Sequence, residues 1–126
     1  MSYDKVDEYR AIFAHQASYS RISDYGIIGN LNTVALVSRK GSIDFMPFTR
    51  FDSPTIFTAL LDWEKGGYYQ IAPTAKGIRT KQLYLPDTAV LLTRFLSHHG
   101  VAELTDFMPI SEKEEEATLV RKVRCV

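Results

Sequence analysis

Residues 33–46 read TVALVSRKGSIDFM. Two apolar runs rich in valine, leucine and isoleucine flank the short segment Arg39-Lys40-Gly41. This pattern is typical of a β-hairpin, because glycine readily adopts the positive φ angle that a tight turn between two strands requires. The stretch therefore predicts two antiparallel strands, and strand patterns of the same kind continue through most of the chain.

The later segments with strand-like apolar patterns are residues 68–72, 78–85, 89–96, 101–108 and 119–126, with a turn predicted at His98-His99-Gly100. Short strands at regular spacing, joined by close turns, indicate two packed antiparallel sheets. We expect six to eight strands. The predicted fold class is mainly β, an antiparallel β-sandwich with one or two short helices.

The first part of the chain has a different periodicity. In residues 4–17 the apolar side chains recur every three or four positions, which predicts a helix. Such a helix either covers an edge of the sandwich or docks on another domain. We therefore divide the chain into an N-terminal helical extension, residues 1–18, and a sandwich domain, residues 19–126.

A second helix is predicted after Ser53-Pro54. Serine is a favoured N-cap residue, and proline is favoured at the first helical position. The apolar side of this short helix would be formed by Ile56, Phe57, Leu60 and Leu61.

Length and composition limit the classes of function. The chain has 126 residues, 45% of them apolar, which fits one domain with one core. Fifteen basic residues balance fifteen acidic ones, so neither nucleic acid nor a membrane is an expected partner. The polar N-terminus lacks the apolar core of a signal peptide, and no run reaches the ~18 apolar residues of a membrane span. We expect a cytoplasmic protein.

No metal and no cofactor are expected from the sequence. His98 and His99 are adjacent, so in a strand they would point to opposite faces and chelate one metal poorly. Cys125 is the single cysteine and cannot form an internal disulfide or a cysteine-based zinc site. The glycines near residue 26 lack the lysine and the Ser/Thr of a phosphate-binding loop.

The polar segment at residues 49–54 could present a binding site. Arg50 and Asp52 lie two positions apart, so in extended backbone both side chains point the same way. The guanidinium offers a fork of donors and the carboxylate accepts, which together suit the vicinal hydroxyls of a sugar. Alternatively, the two side chains pair with each other and fix the loop, with Asp52 or Ser53 capping the predicted helix.

Asp24 and Asp44 form a second candidate site. Glycoside hydrolysis uses paired carboxylic groups, one as acid and one as base. An aspartate beside a turn also commonly makes hydrogen bonds to its own backbone, so a local structural role is the alternative.

Several blocks of the chain resemble, in the same order, the N-terminal domain of bacterial and archaeal glucoamylase-like and trehalase-like glycoside hydrolases of family fifteen. The blocks are ISDYGIIGN (22–30), TVALV (33–37), GSIDF (41–45), RFDSP (50–54), YQIAP (69–73), YLPDT (84–88), LLTRF (91–95), TDFMP (105–109) and LVRKV (119–123). The resemblance implies a β-sandwich followed by a large ring of helices. In the family that (α/α) barrel carries two catalytic glutamates and hydrolyses α-glucosidic bonds with inversion.

The resemblance also implies where a site would lie. The segment from residue 42 to residue 54 is expected to face the catalytic barrel near the sugar. We therefore expect Asp44, Phe45, Arg50 and Asp52 to lie on the substrate side or at the interdomain surface, with no catalytic residue in this chain. Phe45 stands where the family more usually has tryptophan, which keeps an aromatic face but removes the indole donor.

The resemblance favours a non-catalytic domain that supports folding and docking of a catalytic barrel, with α-glucosides as candidate ligands. The chain ends within a predicted strand, from which we expect a longer parent hydrolase and an inactive isolated chain. Two alternatives stay open. One is a free-standing carbohydrate-binding module, with Tyr68, Tyr69 and Tyr84 as its aromatic row. The other is a structural fragment that forms homo-oligomers through exposed sheet edges.

Overall fold

The computed structural model describes residues 19–113 and 115–126. This part of the chain forms nine strands and one short 3-10 helix at Ile22–Asp24. The strands are β1 (Tyr25–Gly29), β2 (Val34–Ser38), β3 (Ser42–Pro47), β4 (Thr55–Phe57), β5 (Tyr69–Gln70), β6 (Arg79–Tyr84), β7 (Leu91–Ser97), β8 (Gly100–Phe107) and β9 (Val120–Cys125). The helical extension predicted for residues 1–18 lies outside the described residues.

The strands form two antiparallel sheets. The first sheet has the order β1-β2-β3-β4, with β5 also paired to β3, and the second has the order β6-β7-β8-β9. The expected antiparallel sandwich is therefore confirmed, with more strands than predicted. Its core is a cluster of buried apolar side chains from both sheets, among them Ile28, Val37, Ile43, Leu91 and Met108. Each such side chain stabilises the fold by about 1.5–3 kcal/mol when it is fully buried.

The hairpin predicted at residues 33–46 is confirmed. Strands β2 and β3 pair antiparallel, and Gly41 closes the turn with a φ angle of 74°. A bulge between Leu36 and Val37 shifts the register of the pair. The turn predicted at His98-His99 is also confirmed, because it joins β7 to β8 in continuous antiparallel register.

The helix predicted after Ser53-Pro54 is wrong. Ser53 donates its backbone N–H to the carbonyl of Arg50, which makes a turn, and the chain then enters β4. Strand β4 pairs with the end of β3, with Phe57 opposite Met46. Pairing with an existing strand satisfies the backbone of this segment, and this tertiary contact outweighs the local helix signal. Among the described residues, no helix is long or apolar enough to cross a membrane.

Candidate functional site

Two loops meet at the end of the β2–β3 hairpin that lies opposite the Gly41 turn. One loop joins β1 to β2, and the other follows β3. The backbone N–H of Phe51 donates to the carbonyl of Asn32 at 3.0 Å, and the hydroxyl of Thr33 donates to the carbonyl of Pro47 at 2.9 Å. Between the loops lies an open cleft of about 310 Å³, lined by Leu31, Asn32, Arg50, Phe51 and Asp52.

Arg50 and Asp52 both line this cleft, and they lie in a turn rather than in the extended backbone that the sequence prediction assumed. The Nε atom of Arg50 is 3.4 Å from Oδ1 of Asp52, and their side chains are 64% and 76% exposed. An ion pair this exposed contributes about 0–1 kcal/mol to stability, so either group can exchange its partner for a ligand at little cost. The helix-capping alternative fails because no helix follows. The pair itself forms, so the loop-fixing and sugar-binding interpretations both remain.

The backbone on both sides of the cleft is strained. Leu31 has a φ angle of 74° and Thr49 one of 64°. Left-handed backbone is unusual for side chains of this kind, especially the β-branched threonine, and costs about 1–3 kcal/mol per residue. Asn30 braces one loop by accepting hydrogen bonds from the N–H groups of Asn32 and Thr33 at 3.0 and 2.9 Å. Strain held in place by its surroundings is common at functional sites.

Asp44 lies away from the cleft, in a separate small pocket. This residue is 4% exposed, and its carboxyl group accepts hydrogen bonds from the hydroxyls of Tyr25 and Ser42. The pocket is also lined by Trp63 and Tyr68, whose rings stack at 5.0 Å with 9° between their planes. The structure therefore does not bring Asp44 into contact with the Arg50–Asp52 pair.

The two remaining candidate residues, Phe45 and Asp24, contact other groups of the first sheet. Phe45 is half-buried in β3 opposite Leu36 of β2, and it does not line the cleft. Asp24 lies 3.7 Å from Nε of Arg39, at the start of the β2–β3 turn. Asp24 and Asp44 thus each bind side chains, and the contacts seen are not the local backbone hydrogen bonds of the alternative interpretation.

The sequence alone did not predict a buried ion pair between the last two strands. Arg121 of β9 and Asp106 of β8 are 2% and 0% exposed, with Nε 2.7 Å from Oδ1. The guanidinium also donates to the backbone carbonyls of Gly41 and Tyr69, at 2.6 and 2.8 Å, and its carbon lies 4.7 Å from the Tyr69 ring centroid. One side chain therefore ties the second sheet to the first. The alternation in LVRKV could have indicated this position, because it places Arg121 on the same face of the strand as the apolar Val123.

The Tyr25 hydroxyl gives a prediction for alkaline pH. Burial, the hydrogen bond to Asp44 and the charge of that carboxylate raise the pKa of Tyr25 well above its ordinary value. The folded state therefore holds this proton more tightly than the unfolded state, whose tyrosine titrates near pH ~10. The stability that Tyr25 contributes is fully present below about pH 10 and is lost as the pH rises further.

We expect the urea midpoint to fall between about pH 10 and 11, and Tyr25→Phe to flatten this fall. At neutral pH, Tyr25→Phe should itself cost about 1–3 kcal/mol, because Asp44 loses one of its two hydroxyl donors. Tyr68→Phe, at an exposed tyrosine, is the matched control. If the urea midpoints of the wild type and of Tyr25→Phe fall equally above about pH 10, Tyr25 does not cause the loss of stability at alkaline pH.

The fold and the cleft define an antiparallel β-sandwich domain with a polar, open site at one end of a hairpin. Comparison with known families matches residues 8–125 to the trehalase-like N-terminal family. The chain belongs to this family, which agrees with the resemblance seen in its sequence blocks.

Curated relatives support the same assignment. The chain is 46% identical to trehalase 1 of Sulfolobus acidocaldarius over 99 residues, which is 79% of the chain and 16% of that protein. It is 40% identical to a trehalase of Thermoplasma volcanium, over 75% of the chain and 15% of the relative. A trehalase of Mycobacterium tuberculosis is 26% identical, over 83% of the chain and 18% of the relative. The chain thus matches less than a fifth of the length of these relatives. No solved structure matched it.

Proposed function

We propose that this chain is the non-catalytic N-terminal domain of a cytoplasmic enzyme that hydrolyses α-glucosides, and that it docks on a helical catalytic domain. Support comes from the family match and from relatives that are named trehalases and are much longer than the matched region. In this proposal the sandwich comprises residues 19–126, and the catalytic acid and base lie outside this chain.

The observation that carries the docking proposal is the apolar rim of the cleft. Leu31 is 79% exposed and Phe51 59%, and both line the cleft. Large apolar side chains exposed together around a polar centre are typical of a surface that another protein covers. The rim surrounds the exposed Arg50–Asp52 pair, so a domain docked here would close over both groups.

Within the docked enzyme, Arg50 and Asp52 would form one wall of the substrate site. The guanidinium would donate to sugar hydroxyl oxygens, and the carboxylate would accept from sugar hydroxyls. Their contribution is to bind and orient the sugar, while a docked surface excludes water and strengthens these charged hydrogen bonds. Asp44 and Phe45 would act indirectly, because they hold the strand from which the Arg50 loop emerges.

A chimera tests the proposal. The matched N-terminal part of Sulfolobus acidocaldarius trehalase 1 is replaced by this chain, and glucose release from trehalose is measured. We expect an active chimera in which Arg50→Ala or Asp52→Ala lowers kcat/KM by about tenfold to a hundredfold. This range follows because a hydrogen bond to a charged group contributes about 1.5–3 kcal/mol.

The matched control is Arg79→Ala, which removes an exposed arginine from the edge strand β6. Thermal unfolding of each variant separates a local effect from misfolding. If Arg50→Ala and Asp52→Ala leave both kcat/KM and thermal stability unchanged, these residues do not shape the substrate site. If the chimera is active and neither substitution changes its kcat/KM, the docking proposal stands and only the proposed contact with substrate is contradicted.

A carbohydrate-binding module is the second candidate, favoured by the pocket at Asp44. It combines a stacked Trp63–Tyr68 pair with polar groups of Lys40 and Gln70, a combination that suits sugar recognition. Calorimetric titration of the isolated chain with trehalose and maltose separates the two candidates. The docking proposal predicts no measurable binding, whereas binding that Trp63→Ala abolishes would favour the module. Light scattering of the same sample tests the homo-oligomer alternative.

A further inference from the structure

One side chain of the second sheet bonds to the backbone of β1 in the first sheet. Strand β1 pairs with β2 on one side, where Ile27 lies opposite Leu36. The hydroxyl of Tyr84, in β6, accepts a hydrogen bond from the backbone N–H of Ile27 and donates one to its carbonyl oxygen, both at 2.8 Å. In an antiparallel sheet, a residue makes these same two bonds with its partner on the neighbouring strand. Tyr84 therefore takes the pairing position that a further strand would use at Ile27.

The preceding pairing position on this side of β1 is also occupied. Tyr25 donates its backbone N–H to the carbonyl of Ile22, the first residue of the 3-10 helix. Residues two apart in a strand direct their backbone groups to the same side, so the N–H groups of Tyr25 and Ile27 both point away from β2. Both contacts are formed by groups of the described residues, so the closure of β1 at these positions does not depend on any residue beyond them.

The position of Tyr84 is fixed by its neighbours along the chain. Gln82, on the same face of β6, donates its side-chain N–H to the carbonyl of Ser38 at 3.2 Å. Directly after Tyr84, the β6–β7 turn begins at Leu85, whose N–H donates to the carbonyl of Val90 at 3.0 Å. A residue held on both sides loses little conformational freedom when its side chain bonds. The contact with Ile27 therefore costs little entropy.

Strand β1 lacks the residues that usually protect a strand from pairing with another. Its sequence, YGIIG at Tyr25–Gly29, contains no charged residue and no proline. Lysine or proline on an outer strand opposes further pairing, because it brings a charge or removes a backbone donor. When two copies of β1 pair antiparallel, no like charges meet. A second copy of the chain is therefore the partner against which β1 needs protection.

We propose that Tyr84 blocks self-association of the chain through β1. While its hydroxyl holds both backbone groups of Ile27, a second copy cannot pair with the middle of the strand. This strand is one of the sheet edges through which the homo-oligomer alternative would act. The role of Tyr84 rests neither on the Arg50–Asp52 cleft nor on the proposed docking of a catalytic domain.

Amide exchange, measured by NMR on the whole 126-residue chain, tests the hydrogen bond. Tyr84→Phe removes only the hydroxyl oxygen, and the Ile27 amide should then exchange at least ~10-fold faster. The Ile28 amide points toward β2 and should keep its exchange rate, so it is the internal reference. Leu83→Ala, on the opposite face of β6, is the matched control and should leave the Ile27 rate unchanged.

Analytical ultracentrifugation tests the block. Tyr84→Ala also removes the ring, and its self-association constant should exceed that of the wild type by at least ~10-fold. Adding Ile27→Lys should restore the wild-type value, because a lysine on an outer strand opposes pairing. Circular dichroism checks that each variant is folded. If Tyr84→Ala does not fold, Tyr84→Leu takes its place, since it keeps an apolar side chain but has no hydroxyl for Ile27.

Three results would overturn the proposal. Equal exchange of the Ile27 amide in the wild type and in Tyr84→Phe would show that the hydroxyl does not hold β1. Unchanged self-association of Tyr84→Ala would show that the strand needs no block. Self-association that Ile27→Lys fails to reverse would show that the copies meet at another surface.

Discussion

Arg121→Ala is expected to lower the free energy of unfolding by about 3–5 kcal/mol, the range for breaking one side of a buried ion pair. The large effect is expected because the substitution leaves several buried groups without their partner. Asp106 is fully buried and would keep a carboxyl group without its counter-ion, and the carbonyls of Gly41 and Tyr69 would each lose a donor. Burial already raises the pKa of Asp106, with the Arg121 guanidinium opposing the shift. Urea unfolding followed by circular dichroism measures the effect.

Two further variants make this result specific to the buried pair. Arg124→Ala removes an exposed arginine from the same strand and should change stability by no more than about 0.5 kcal/mol. The double variant Asp106→Leu with Arg121→Met should be more stable than Arg121→Ala, because it leaves no buried charge unpaired. If Arg121→Ala and Arg124→Ala unfold at the same urea concentration, Arg121 does not tie the sheets together.

Gly41→Ala is expected to destabilise the chain by about 3–5 kcal/mol, from backbone strain together with overpacking. Gly41 has a positive φ angle, and a Cβ atom there would clash with the backbone carbonyl oxygen of Ile71. Ile71 also donates its N–H to the carbonyl of Gly41, so relief of the clash would stretch that hydrogen bond. The same carbonyl accepts a hydrogen bond from Arg121, so the substitution would also weaken the contact between the two sheets.

Gly67→Ala is the matched control for this clash. Gly67 has a similar φ angle, 72°, but a Cβ atom there would meet nothing within 4 Å. It should therefore show only the conformational cost, about 1–2 kcal/mol. The difference between the two urea midpoints isolates the contact with Ile71. Equal losses would mean that the turn has room for a side chain and that the backbone angle alone selects glycine.

The parts of the fold that were predicted correctly depend on signals close together in the chain. The Arg39-Lys40-Gly41 turn and the His98-His99 turn each lie between two apolar runs, and both hairpins form as expected. The predicted helix after Ser53-Pro54 failed because its apolar spacing was judged without knowing that the end of β3 offers a pairing edge to Thr55–Phe57. A local pattern cannot reveal that competing partner.

The candidate site shows the same limit. Arg50 and Asp52 come together across the turn that the Ser53 N–H and the Arg50 carbonyl close, whereas the sequence prediction assumed extended backbone. Asp44 is eight residues before Asp52, yet the two side chains line different cavities. The Asp106–Arg121 pair and its contact with Gly41 span strands of both sheets, so only the packing of the whole sandwich brings them together.

The stacked Trp63–Tyr68 pair has a spectroscopic consequence. Trp63 is the sole tryptophan of the chain, so excitation of indole selects one position in the molecule. Its ring lies flat against Tyr68, and its backbone N–H donates to the hydroxyl of Tyr19 at 3.3 Å. Fluorescence from this chain therefore reports on the long turn between β4 and β5 and on the first described residues, without any introduced label.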